Sequence, residues 1–71
     1  MTEKYSLIRL PALLKLTGLN KSTVYARLQE GSRYYDPSFP KPVKLSTNGR
    51  IVAWILPEVE KWIENLMAFR S

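Results

Sequence analysis

The 71-residue chain is predicted to fold as a small, mostly helical α+β domain in the order helix, helix, two-stranded β-hairpin, helix. Three observations predict it. Apolar residues at helical spacing lie on both sides of Gly18, an Asn48-Gly49 pair separates two β-prone runs, and Pro57 precedes a third apolar stripe. A chain this short supports one core and one domain. The domain is expected to span residues 7–68 behind a flexible N-terminus of residues 1–6.

The first helix is expected to open at Pro11, because a residue lacking an N–H suits the first helical position. Leu10, Leu13, Leu14 and Leu16 can then cover one of its sides. Gly18, free to adopt positive φ, ends it, and Leu19 is expected to plug the corner. Asn20 is a good N-cap for the second helix, whose buried stripe is Val24 and Leu28. At 100° per residue, Ser22, Ala26 and Gln29 face away from that stripe, with Tyr25 and Arg27 on its flanks. Gly31 is expected to close this helix.

Residues 32–42 hold three of the five prolines and cannot be a helix interior. Tyr34 and Tyr35 are expected to pin this loop to the core. In the hairpin, Val43 and Leu45 alternate with Lys44, and Val52 and Trp54 with Ile51 and Ala53, so one face can be buried. Pro57 starts the last helix, with Glu58 and Glu60 at its positive end and Arg70 at its negative end, as the helix dipole favours. Val59, Trp62, Ile63 and Leu66 form its apolar stripe, and both Trp54 and Trp62 are expected in the core. Glu58, Glu60 and Glu64 read as a solvated face.

Composition narrows the function. There is no cysteine and no histidine, so disulfides, thiolate metal sites and the commonest general base are all missing. We expect no catalysis, no metal and no cofactor. No apolar run approaches the roughly 20 residues needed to span a bilayer, and the mixed charges of the first ten residues do not resemble an export signal. A cytoplasmic location is expected. Between Arg9 and Arg50 eight cations face two anions, a net +6, whereas the residues from Ile51 onward carry a net −1. A basic segment beside a near-neutral one points to a polyanionic partner.

A helix, a glycine corner and a capped helix followed by a hairpin with a basic tip constitute a winged helix-turn-helix. An α-helix or a two-stranded ribbon fits the DNA major groove, and small hydroxyls at a helix start permit close approach to phosphate. Lys21, Ser22, Thr23, Tyr25, Ala26 and Arg27 are the candidate contacts of the second helix. Lys41, Lys44, Asn48 and Arg50 are those of the loop and wing, where a narrow minor groove would attract arginine.

The markers Arg9-Leu10-Pro11, Thr17-Gly18-Leu19, Ser22-Thr23-x-Tyr25, Phe39-Pro40-Lys41-Pro42 and Arg50-x-Val52-x-Trp54 occur in that order. In this the chain resembles the AlpA-like prophage regulators, relatives of the MerR-like excisionases, over about Leu7 to Glu64. The resemblance implies a DNA-binding protein of a prophage or integrative island that activates an integrase gene or directs excision. It differs from many members in placing Ala26, not arginine, after the tyrosine, which suits a thymine methyl, and in delaying the arginine to Arg27. Seven residues, Ser32 to Ser38, lengthen the link to Phe39, an insertion of Tyr-Tyr-Asp-Pro type shared with some members.

The partner expected is therefore double-stranded DNA, with an integrase or RNA polymerase as the protein partners the resemblance admits and no membrane. A module of this size buries roughly 600 to 1,000 Å² on DNA, so a monomer or weak dimer binding repeated sites cooperatively is expected. The alternative is a protein-interaction adaptor that uses the winged domain to hold an integrase or a transcription component.

Overall fold

The computed structural model describes residues 6–69, and the remaining expectations for the N-terminus and for Arg70 lie outside the described residues. The chain runs β1 (Leu7–Ile8), α1 (Leu10–Thr17), α2 (Lys21–Leu28), β2 (Val43–Lys44), β3 (Val52–Ile55) and α3 (Leu56–Phe69). It is the expected α+β winged helix-turn-helix order with one strand added in front.

That strand was not legible in the sequence. Leu7–Ile8 pairs antiparallel with β3, in register Leu7 to Ile55 and Ile8 to Trp54, so the sheet has three strands in the order β1-β3-β2. Two residues are too few to show a period of two. Ser6 extends the tie, its carbonyl accepting from the Leu56 N–H at 2.8 Å. With a neighbour on each side, β3 becomes the central strand, and Ala53 and Trp54 are both fully buried. The expectation of one buried face is corrected here, because successive residues Ala53 and Trp54 point to opposite faces and both are buried, with α1 and α3 packed against β3.

The helical corner forms for the reasons the residues suggest. Pro11 lies in the first turn of α1, and Gly18 ends that helix in the left-handed conformation at φ 74°, its N–H donating to the Leu14 carbonyl at 2.8 Å. Any side chain there would strain the backbone. Leu13 is fully buried, with Leu10, Leu14 and Leu19 packed against the core. Leu16 is exposed instead of buried, since at 100° per residue it falls about 110° from the mean direction of Leu10, Leu13 and Leu14. Thr17 takes the inward arc, its hydroxyl donating to the Leu13 carbonyl at 2.8 Å.

The second helix starts where expected. The Asn20 side chain accepts from the Thr23 N–H at 2.8 Å, a cap worth about 1 kcal/mol. It ends earlier than expected, at Leu28, with Gln29 as an extended C-cap and Gly31 inside the following turn. Competition for a carbonyl explains this. The Arg27 oxygen, which a longer helix would offer to Gly31, accepts from the Asp36 N–H at 2.9 Å.

One hydrophobic cluster joins these elements: Leu13 of α1, Val24 of α2, Phe39 of the loop, Trp54 of β3, and Val59 and Trp62 of α3. The two tryptophans are buried as expected, at 0% and 6% exposure. Phe39 and Trp62 meet edge to face with centroids 4.8 Å apart, and the Trp54 indole N–H donates to the Pro40 carbonyl at 3.1 Å. Phe39 therefore pins the loop, the role expected of the tyrosines. Tyr34 is 64% exposed and Tyr35 only half-buried. On α3, Val59, Trp62 and Ile63 face the core, but Leu66 is exposed. Its angular position is right; the 14-residue helix simply outruns the elements that could cover it.

Candidate nucleic-acid interface

The surface of interest begins at the start of α2. Of the N–H groups from Asn20 to Thr23, which have no intrahelical acceptor, Thr23 bonds the Asn20 side chain, and the first internal bond runs from the Val24 N–H to the Asn20 carbonyl at 3.1 Å. The Lys21 and Ser22 N–H groups have no protein acceptor among the described residues. Both side chains are exposed and Thr23 is half-buried, so neither Trp62 nor any other core residue occludes this end. Free donors, two hydroxyls and an ammonium group at one helix end suit an anion.

The outward face of α2 forms one wall of a groove of about 470 Å³ lined by Ser22, Thr23, Ala26, Arg27 and Tyr34. Four of the ten residues singled out in the sequence thus share one concavity. Lys21 and Tyr25, the latter 45% exposed, lie on the same helix outside that lining.

Arg27 has a second engagement. Its guanidinium Nη1 is 3.6 Å from Asp36 Oδ2, the ion pair found among the described residues, and its Nε is buried without a partner there. Asp36 is a knot in the loop. Its Oδ1 accepts from the Ser38 N–H at 2.9 Å and the Ser38 hydroxyl at 2.6 Å. The Ser38 hydroxyl bond does most to hold the carboxyl below its ordinary range; burial opposes this, and the Ser38 N–H, Trp62 and Arg27 assist. A depressed folded pKa adds stability that is complete above the unfolded value, near 3.9, and is lost as pH falls through the folded one. The stability advantage of wild type over Asp36→Asn is accordingly expected to be constant near neutrality and to shrink at acid pH. Urea unfolding across pH checks this, and a difference that grew on acidification would contradict it.

The wing is built at Ser46–Gly49. The Gly49 N–H donates to the Ser46 carbonyl at 3.1 Å, and Gly49 itself is left-handed at φ 71°, a turn closed by a glycine bulge instead of a two-residue Asn-Gly loop. Asn48 supports the tip from within, its Oδ1 accepting from the Ser46 hydroxyl at 2.7 Å and the Arg50 N–H at 3.0 Å. The Lys44 side chain lies over Gly49, where an added Cβ would sit 3.5 Å from its Cδ and Cε. Lys44, Asn48 and Arg50 are therefore gathered at one exposed hairpin end.

Lys41 stands apart from the others. It lines a different groove, of about 580 Å³, with Phe39, Pro40, Pro57, Glu58, Lys61 and Trp62 among its neighbours. Among the described residues Lys21, Lys41, Lys44 and Arg50 are all exposed and have no carboxylate within ion-pair range. The positive charge of this region is thus available to an external anion. Among the described residues no cluster of acids could hold a metal ion, and no helix is long and apolar enough to cross a membrane.

Sequence reasoning missed the neighbour that completes the α2 groove. Tyr34 borders it, and the Arg33 guanidinium lies 5.5 Å from the Tyr34 ring centroid. An adjacent arginine and tyrosine in a loop is the available signal, but an aromatic ring beside a core reads first as packing.

Comparison with known proteins places this surface in context. No solved structure matches the chain. Over 57 residues it is 37% identical to the DNA-binding transcriptional activator AlpA of Escherichia coli (strain K12), covering 80% of this chain and 79% of that protein. Over 64 residues it is 35% identical to the uncharacterized protein ORF88 of Enterobacteria phage P4, covering 90% of this chain and 64% of the phage protein. The family model described as prophage CP4-57 regulatory protein (AlpA) matches residues 6–67, nearly the whole of the described structure. The chain therefore belongs to the AlpA family of prophage regulatory proteins.

Proposed function

We propose that this protein is a DNA-binding regulator that recognises specific sequences in duplex DNA of a mobile element and acts in the cytoplasm. The observation that carries the proposal is the unobstructed start of α2, with free N–H groups and exposed Lys21 and Ser22 beside an outward groove. In this reading α2 enters the major groove, where Ser22 and Thr23 meet phosphate and base edges and Ala26 touches a thymine methyl. Lys21 and Tyr25 flank it at the backbone. Lys44 and Arg50, held by the Asn48-supported turn, lie along the neighbouring backbone or minor groove. Lys41 contributes only as a more distant charge, because it opens onto the other groove.

Its regulatory target is an integrase gene, and activation is the first reading because the similar Escherichia coli protein is named a transcriptional activator. Excision uses the same contacts, and bending of an attachment site would distinguish it from promoter binding. An adaptor role has one observation in its favour, the exposed Leu66, Met67 and Phe69 on α3, which could meet a polymerase or an integrase.

Footprinting on DNA flanking its own gene tests the proposal. Protected sites in repeated copies are expected, since one module buries too little surface for high specificity. Arg50→Ala is expected to weaken all sites alike, as loss of a phosphate contact does. Uniform absence of protection at any concentration that binds random duplex would refute sequence recognition.

A further inference from the structure

We propose that the residue 32–38 loop is a phosphate clamp, presenting Arg33 and Tyr34 to the DNA strand that borders the groove entered by α2. The inference rests on the DNA-binding reading above and adds a contact that the helix and wing do not supply.

The loop is tied down at both ends. Near its C-terminal end the Asp36 N–H bonds the Arg27 carbonyl, its carboxylate faces the Arg27 guanidinium, and Phe39 is buried beyond. At the other end the Ser32 N–H donates to the Gln29 carbonyl at 2.9 Å and the Ser32 hydroxyl accepts from the Tyr34 N–H at 3.0 Å. Between these fixed points the chain displays an aromatic ring at 64% exposure. A ring that size would gain about 2 kcal/mol from burial, yet Phe39 takes the available core site.

The geometry suits an anion. Arg33 and Tyr34 form a cation–π pair, so guanidinium and phenol are offered together. Tyr34 shares its groove with Ser22, Thr23 and Ala26, the face of α2 assigned to DNA. Between Arg9 and Arg50 the two acids are Glu30 and Asp36, and Asp36 is already engaged by Ser38 and Arg27. An element beside a helix seated in the major groove meets the sugar-phosphate backbone, where the guanidinium supplies charge and the phenol donates to a phosphate oxygen. Arg27 is then a positioning residue, bonded through its carbonyl and guanidinium to the loop.

Fluorescence anisotropy with the full chain and a labelled, mixed-sequence duplex two helical turns long tests the clamp, over about 50 to 200 mM salt. Arg33→Ala is expected to weaken binding about tenfold and to make the log–log salt slope shallower by about 0.9, the signature of one lost phosphate charge. Tyr34→Phe is expected to weaken binding about threefold with the slope unchanged, because a neutral donor is lost. Both should melt as wild type does, since both side chains are exposed. Wild-type affinity and slope in both variants would overturn the clamp, as would a Tyr34→Phe variant that binds normally while Tyr34→Ala does not, which would indicate stacking on a base. If Arg50→Ala still weakens binding in those cases, the DNA-binding reading stands without the clamp; failure of wild type to bind duplex would remove both.

Discussion

Trp54→Ala is expected to remove about half of the domain's stability and to lower its urea unfolding midpoint by a similar fraction. Removing a buried tryptophan costs about 3 to 5 kcal/mol, whereas a domain of this length holds roughly 4 to 10 kcal/mol in total at 0.05 to 0.15 kcal/mol per residue. The position concentrates three functions. Trp54 is fully buried, stands in the central strand opposite Ile8, and ties the proline-rich loop through its indole bond to Pro40. Phe39 is held edge-on against Trp62 and would have to give up that contact to move into the void. Trp54→Phe separates packing from the hydrogen bond: it keeps a ring but leaves the buried Pro40 carbonyl unpaired, and should cost about 1 to 3 kcal/mol. Urea unfolding followed by circular dichroism measures both. A Trp54→Ala protein with a wild-type midpoint would mean that the core is organised around other residues.

Such a core explains which features could be read in advance. Gly18, Asn20, Gly49 and Pro11 act through their own backbone and nearest neighbours, so their roles at helix ends and in the wing were visible in order along the chain. Trp54 and Trp62 were legible too, since periodicity and size coincide there. The added strand was not, because a two-residue pairing draws its stability from a partner some 47 residues away. Leu66 shows the complementary limit: helical angle predicts a direction, but only the extent of the neighbouring elements determines whether anything lies in that direction. In the candidate site, residues on α2 and the wing were identifiable from their position in the motif. The place of Tyr34 was not, since it depends on Asp36 reaching back to Arg27 across the loop.

The same Asp36 contact bears on how binding responds to salt. Raising salt from about 50 to 200 mM is expected to lower affinity for duplex DNA roughly 250- to 1,000-fold, from a log–log slope of about −4 to −5 and some four to six neutralised phosphates. Lys21, Lys44 and Arg50 are exposed and free of carboxylate partners among the described residues, and Arg33 of the clamp and Lys41 at the margin bring the number into that range. Arg27 adds less, because part of its charge is already answered by Asp36 and a phosphate there would have to displace it. Surface cations that merely solvate the domain would give a slope near zero, and that result would end the DNA-binding reading. An acidic protein partner would also weaken with salt, but competition by unlabelled duplex separates the cases: DNA occupying the α2 groove must exclude it, whereas a partner docked on the exposed end of α3 need not. The slope therefore reports how many of these cations meet phosphate, and the competition reports which face of the molecule they share.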